Sequence, residues 1–203
     1  ALEFIENKNN MTNLIIDASS DKIFLKIIAS SKSYTNNYPN SKNNFEKLII
    51  LIQEFMNTKS ISFDNLDNIY INRGPGSFSG IRNSLSVIKG INFIKKINYF
   101  CYSYFDLFET LEDNTYLILE NISDSFYIKN LDQNKFEILN IGKLKNLQNK
   151  RLVFINLTDS SINKIKTYFP QSCEFLKINL EDIPNLCDKF KIKKNLINPL
   201  YIS

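Results

Sequence analysis

The sequence has no histidine and no tryptophan, and it holds only five glycines, three alanines and three cysteines among its 203 residues. The missing imidazole excludes His-ligated metal centres, Ser-His-Asp and Cys-His nucleophile systems, and a histidine general base. Cys101, Cys173 and Cys187 are an odd set without the paired spacing of a metal site, as expected of reduced, structural thiols in the cytosol. Long apolar runs are absent too. The longest, residues 48–52, is far too short to span a bilayer, and no signal-peptide apolar segment opens the chain, so a cytoplasmic protein with no membrane partner is expected. Arginine is equally scarce: of 25 basic residues, 22 are Lys and three are Arg. Two of those arginines and three of the five glycines fall between Arg73 and Arg82. In a chain as rich in Ile, Asn and Lys as an A/T-biased genome would encode, such residues persist mainly where no other serves.

What is present suffices for a core. With 43% hydrophobic, 13% aromatic and 23% charged residues, the chain suits one compact domain or two small ones. Its net charge of +4 permits an anionic partner but falls short of the dense basic surface of a dedicated nucleic-acid binder. Residues 1–10 are polar and precede a Met that opens a strand-like segment, and they read as an appended remnant outside the fold.

Residues 13–17 read as a buried strand ending in an acid, and 22–29 as its hairpin partner, with the polar stretch 30–44 as a connection. Residues 45–56 have helical spacing of apolar positions, and Ile50 and Leu51 widen the stripe beyond one core face. A strand at 67–72 precedes the glycine-rich window. A helix at 80–96 follows, with Ile81, Leu85, Ile88, Ile91 and Ile94 on one side and a small stripe, Asn83, Ser86 and Gly90, on another. A strand at 99–102 and a helix at 104–111 complete a mixed α/β layer. The acidic and polar residues 112–115 mark the boundary between a lobe at 11–111 and a smaller lobe at 112–203. In the latter, strands are expected at 116–120, 125–131, 136–139, 151–156 and 174–178, and helices at 161–168 and 180–190.

The window Arg73-Gly74-Pro75-Gly76-Ser77-Phe78-Ser79-Gly80-Ile81-Arg82 joins a strand to a helix. It is not a Walker loop, because Gly80 is followed by Ile81 rather than Lys, and a dinucleotide fingerprint would need a third glycine at 79. Gly74 and Gly76 permit positive φ on either side of Pro75, giving a stiff turn with exposed backbone amides, and Ser77 or Ser79 can cap the helix. Arg82 lies near the first helical turn, where a cation opposes the macrodipole by roughly 0.3–1 kcal/mol, which points to an anionic or planar partner.

Residues 73–82 resemble the Gly-Arg-Gly-Pro-Gly-Ser-Phe-Thr-Gly-(Leu/Val)-Arg signature of the TsaB (YeaZ) family, and Lys89-Gly90 matches the Lys-Gly that follows it. Further landmarks keep the family order: Ile15-Ile16-Asp17-Ala18-Ser19, the helix from Leu48, Ser103 with Asp106, and Pro199-Leu200-Tyr201. The resemblance implies an α/β, two-lobed actin-like (Hsp70-type, ribonuclease H-like) fold with mixed sheets covered by helices. It implies a cytoplasmic, catalytically silent partner of the transferase TsaD in forming threonylcarbamoyladenosine at position 37 of tRNAs that read codons starting with A. TsaC would make the adenylate, a TsaE-type ATPase would complete the assembly, and tRNA would be met through the complex. Heterodimerisation would use the two long helices and the loop, implicating Phe45, Leu48, Ile49, Ile52, Gly76, Ser77, Phe78, Ser79, Gly80, Arg82, Asn83, Ser86 and Gly90. Nucleotide, ADP or ATP, would at most be shared with the partner through Asp17, Ser19, Arg73, Gly74 and Arg82, with no cofactor or metal of the chain's own. Ala18, Ser84 and Asn44 depart from the family's Thr, Gly and His at these places.

A nucleotide clamp of this fold uses glycine backbone in both lobes, and beyond Gly90 the only glycine is Gly142. Autonomous ATP hydrolysis or sugar-kinase activity is therefore not expected. Two alternatives stand beside the scaffold: a metal-dependent ribonuclease H-like nuclease using Asp17 with Asp67, Asp106 or Glu120, and a homodimer built on the same helices. The Lys-rich stretches 143–151 and 189–194 would hold nucleic acid in the first case and are otherwise solvated faces. The window itself reads as the rigid corner that launches an interface helix, its glycines and arginines serving a protein partner.

Overall fold

The computed structural model describes residues 11–108, 114–121, 124–169 and 173–202. These form two compact units, one running to Leu107 and including Leu180–Tyr201, the other made chiefly of Phe108–Asn179.

In the first unit, β1 (Thr12–Asp17), β2 (Lys22–Ala29) and β3 (Lys32–Pro39) are an antiparallel meander, and β4 (Asn68–Asn72) and β5 (Asn98–Tyr102) run parallel to β1, in the order β3-β2-β1-β4-β5. Central strands β1 and β4 are near-continuous apolar runs because both faces are covered. Three helices, α1 (Lys42–Glu46), α2 (Leu48–Asn57) and α3 (Phe78–Ile94), pair with this sheet. Leu48, Ile52, Phe55 and Met56 of α2 and Ile81, Leu85, Ile88 and Ile91 of α3 share one core with Leu14, Ile16, Leu25 and Ile27.

The second unit repeats the plan. Strands β6 (Thr115–Glu120), β7 (Ser125–Asn130) and β8 (Lys135–Asn140) are antiparallel, and β9 (Arg151–Ile155) and β10 (Cys173–Leu176) run parallel to β6, in the order β10-β9-β6-β7-β8. Two helices, α4 (Ile141–Leu144) and α5 (Asp159–Tyr168), put Leu144 and Ile165 against Ile118, Phe126, Ile128, Leu152 and Phe154. The expectation of mixed sheets covered by helices thus holds in each unit.

Several expectations are corrected. The stretch 30–44 contains β3, a polar edge strand whose half-buried positions include Tyr34 and Tyr38, both packed on the core; its alternation is hidden by Ser, Thr and Asn on the other face. The single helix at 45–56 is two, because Lys47 leaves helical geometry (φ −103°, ψ 9°) between α1 and α2. At 104–111 there is a 3-10 turn, Tyr104–Asp106, and the end of that expected helix lies outside the described residues. The segment 180–201, expected in the second lobe, packs with the first. Its Glu181 accepts from Lys26 Nζ (2.5 Å) and Ser33 Oγ (2.6 Å), α6 (Ile183–Lys189) buries Ile183 and Cys187, and Lys194 stands opposite Phe100 of β5. Among the described residues no helix is long and apolar enough to cross a membrane.

Candidate functional site

The corner between β4 and α3 is tied to the end of β1 by a continuous hydrogen-bond chain. Asp17, buried at the end of β1, accepts four bonds: Oδ1 from the backbone N–H (3.0 Å) and Oγ (2.7 Å) of Ser19, Oδ2 from Asn72 Nδ2 (3.1 Å) and Tyr104 Oη (2.8 Å). Asn72 Nδ2 also donates to Ser19 Oγ (3.0 Å), while Asn72 Oδ1 accepts from the Gly74 N–H (2.9 Å). The carbonyl of Ser19 accepts from the Ser77 N–H (2.7 Å), and Ser77 Oγ in turn caps α3 through the Gly80 N–H (3.2 Å).

The glycines are where they are because backbones meet. Gly74 (φ +106°) and Gly76 (φ +151°) adopt conformations that L side chains rarely take. A Cβ on Gly74 would strike the Leu200 carbonyl, one on Gly76 the Ser19 carbonyl, and one on Gly80 the Ala18 carbonyl. Arg73 is also used within the chain. Its Nε (3.1 Å) and Nη2 (2.8 Å) donate to Asp106 Oδ2, its Nη1 donates to the Asn198 carbonyl (2.9 Å), and its own carbonyl accepts from the Leu200 N–H (2.8 Å). Asp106 Oδ2 further accepts from the Ser103 N–H (3.1 Å), which explains why Ser103, Asp106 and the Pro199-Leu200-Tyr201 segment accompany the loop.

The window is built into its own chain: the amides of Gly74, Ser77 and Gly80 and the guanidinium of Arg73 have intrachain partners, and each of the three glycines is required by a neighbouring carbonyl. Of the residues assigned to shared nucleotide, the structure brings Asp17, Ser19 and Gly74 together, with Asn72 and Tyr104 as holders that sequence reasoning missed. Arg73 is turned to Asp106, and Arg82 is exposed just past the first turn of α3. Among the described residues no three His, Cys, Asp or Glu side chains gather as a metal site would require. The thiols are buried or half-buried, and burial pushes Cys101 up to about 11 and Cys187 to about 12, with Asp188 adding to the latter.

The helix positions divide cleanly. Phe45, Leu48 and Ile52, expected at an interface, are buried in the unit's own core, as is Gly80. Ile49, Phe78, Ser79, Arg82, Ser86 and Gly90 are exposed, Gly76, Ser77 and Asn83 are intermediate, and Phe78 packs on Tyr201 (ring centroids 5.0 Å apart). Ile94, expected on the core side of α3, is 88% exposed, and so is Phe93. Neither was singled out for the outer face, although Phe93 follows Gly90 by three residues and Ser86 by seven. Ile50, noted only for widening the α2 stripe, is 48% exposed. Gly90, in mid-helix, has no heavy atom of the described residues, beyond its chain neighbours and the nearby backbone of its own helix, within 4 Å of where its Cβ would stand.

A family model described as TsaD, tRNA N6-adenosine threonylcarbamoyltransferase, matches residues 23–101. A curated relative, the tRNA threonylcarbamoyladenosine biosynthesis protein TsaB of Buchnera aphidicola subsp. Baizongia pistaciae (strain Bp), is 28% identical over 81 residues, which are 40% of this chain and 37% of that protein. The match thus spans little over a third of that relative's length. Two solved structures from Pseudomonas aeruginosa cover 95% of this chain and 100% of their own. One is an uncharacterised protein with similarity to peptidase YeaZ (TM-score 0.63, 15% identity), and the other is YeaZ (TM-score 0.60, 14% identity). With the doubled sheet order, they give this chain the α/β actin-like fold.

Proposed function

We propose that this chain, a member of the TsaB/YeaZ family on the likenesses above, is the non-catalytic scaffold that holds a TsaD-type transferase through the outer faces of α2 and α3. The service is formation of threonylcarbamoyladenosine at position 37 of tRNAs reading codons that start with A, in the cytoplasm, with a TsaE-type ATPase in the full assembly. The observation that carries this reading is Gly90. A glycine in mid-helix costs about 0.5–1 kcal/mol relative to Ala. Each glycine of the loop is required by a neighbouring carbonyl, but among the described residues nothing beyond the adjoining turns of its own helix comes within 4 Å of where a Cβ on Gly90 would stand. A backbone from outside would use that space, and the exposed Phe93, Ile94, Ile49 and Ile50 supply apolar area on the same pair of helices.

Catalytic silence is supported by the chemistry of the corner. The carboxylate best placed for metal or proton work, Asp17, already accepts four hydrogen bonds, and the chain has no histidine. The same saturation weighs against the nuclease reading. Nucleotide is at most shared with the partner, since the Gly74, Ser77 and Gly80 amides and the Arg73 side chain have intrachain partners.

Size-exclusion of the protein with and without a TsaD-type transferase tests this. A heterodimer is expected, and Gly90→Asp or Ser86→Glu should each abolish it without changing the circular dichroism spectrum. Wild-type protein that fails to co-elute, with ADP or ATP present as well, overturns the proposal. Normal binding by both variants moves the interface off α3. Metal-dependent RNA cleavage that Asp17→Asn abolishes would put the nuclease in its place.

A further inference from the structure

We infer that the lysine loop formed by the last residue of α6 and the segment after it, Lys189, Lys191, Lys193 and Lys194, is a contact surface for the phosphate backbone of structured RNA. Removing these four residues from the count leaves 21 basic against 21 acidic residues, so the net charge of +4 is equivalent to this one loop. All four are exposed, and among the described residues none is in an ion pair. Lys189 Nζ lies 5.0 Å from the centroid of the Phe190 ring. The other Lys-rich stretch behaves differently. Lys150 donates to Asn114 Oδ1 (2.6 Å), Arg151 pairs with Glu174 (2.7 Å), and Lys145 sits over the Tyr168 ring (4.4 Å).

The loop is held by its backbone. The N–H groups of Phe190, Lys191 and Ile192 close α6 onto Leu186, Asp188 and Cys187 (2.9, 3.2 and 2.9 Å), and Asn195 bonds Tyr99 of β5 both ways (2.8 and 3.1 Å). Lys191 carries the second argument. Among the described residues, eight non-glycine residues have positive φ, and seven of them are Asn, Asp or Ser. Lys191 (φ +53°), at the helix-terminating position that favours Gly or Asn, is the exception. A chain that fills such positions with Asn has placed a cation here against local preference. Favourable charge at the end of α6 accounts for Lys189 and Lys191 but does not reach Lys193 and Lys194, which lie beyond the last turn. Lys meets phosphate as a hydrated point charge with little directional demand, so four lysines suit sequence-independent backbone contact.

The choice of RNA among polyanions rests on the proposed function, whereas the electrostatic argument stands alone. The test uses the full-length chain and a tRNA transcript, with binding followed by fluorescence anisotropy between 50 and 200 mM KCl. Four phosphate contacts weaken binding about 50- to 150-fold over that range. The variant Lys189→Gln/Lys191→Gln/Lys193→Gln/Lys194→Gln should flatten the log–log salt slope by about 3 and lose at least about tenfold in affinity at 100 mM. Lys191→Asn alone, which suits the backbone, should flatten it by somewhat under about 1. A charge-matched control, Lys32→Gln/Lys42→Gln/Lys135→Gln/Lys143→Gln, should keep most of the wild-type slope. Equal losses in loop variant and control overturn the inference, as does an unchanged loop variant. So does unchanged tRNA binding with lost binding to phosphatidylserine vesicles or polyglutamate, which would assign the loop to another polyanion. Co-elution of the loop variant with the transferase, measured separately, shows whether the scaffold reading stands or falls by itself.

Discussion

The two units share one strand order but make the step from their fourth strand to the following helix in different ways. In the first, residues 73–77 use Gly74 and Gly76 at positive φ and Ser77 as helix cap. In the second, residues 156–158 do both jobs without glycine: Asn156 takes φ +53° and Thr158 Oγ1 caps α5 through the Ser161 N–H (3.3 Å). Neither the turn nor the cap demands glycine. What demands it is the approach of the Ser19, Ala18 and Leu200 carbonyls, which in the first unit press on the loop and fix where α3 starts. The helices differ in step with the loops. Helix α5 is short and buries only Ile165, whereas α3 has 17 residues, a full core face, and Phe93 and Ile94 left outside. A doubled scaffold has been specialised on one side, by close packing beneath the helix and apolar surface above it.

The sharpest break in this comparison is a methyl group. Gly76→Ala drives a Cβ into the Ser19 backbone at a φ unsuited to L residues and should cost about 3 kcal/mol or more in urea unfolding. Asn156→Ala, at the corresponding step of the second unit, loses one bond to the Ile178 N–H (2.8 Å) and some left-handed preference, and should cost about 1–2 kcal/mol. Equal costs would mean that the glycine corner is an ordinary turn.

The ion pairs extend the contrast at smaller scale. Arg73 and Asp106 are mostly covered, with side-chain exposures of 14% and 22%, and Arg73 also holds the Asn198 carbonyl. Arg73→Met should therefore lower stability by about 2 kcal/mol. Arg151 with Glu174, exposed by 30% and 46% in the second unit, is screened by solvent, and Arg151→Met should cost under about 1 kcal/mol. Urea midpoints of the two variants decide this, and a larger loss for Arg151→Met would reverse the ranking of the two units.

Much of this was legible in the residues. Buried strands β1 and β4 are apolar runs, β2 alternates, and the cores of α2 and α3 follow helical spacing, so local pattern and burial agree. The polar edge strand β3 was not legible, because Tyr34 and Tyr38 alone mark its inner face among Ser, Thr and Asn. The return of 180–201 to the first unit was hidden for a different reason: it rests on long-range contacts, such as Glu181 with Lys26, that no local period records. At the corner, the glycine-rich window announced itself, but its meaning did not. Close approach to Ala18, Ser19 and Leu200 joins residues more than fifty positions apart, and sequence alone cannot separate a glycine needed by its own chain from one needed by another.

That distinction is what Gly90 tests, with the smallest expected effect. In the free chain Gly90→Ala meets open space, removes the entropic cost of a mid-helix glycine, and should raise stability by about 0.5–1 kcal/mol, read as a higher urea midpoint. Substitution at Gly76 has the opposite sign, so two glycines 14 residues apart in one segment should move the midpoint in opposite directions. If the outer face of α3 receives a partner's backbone, the stabilising methyl must then weaken heterodimer formation, and free-chain stability and partner affinity should separate in a single variant. A Gly90→Ala protein that is more stable and still binds the transferase normally would leave the glycine without an explanation and move the contact toward Phe93 and Ile94. A variant that is less stable would instead place an intrachain constraint on α3 where the structure has only open space.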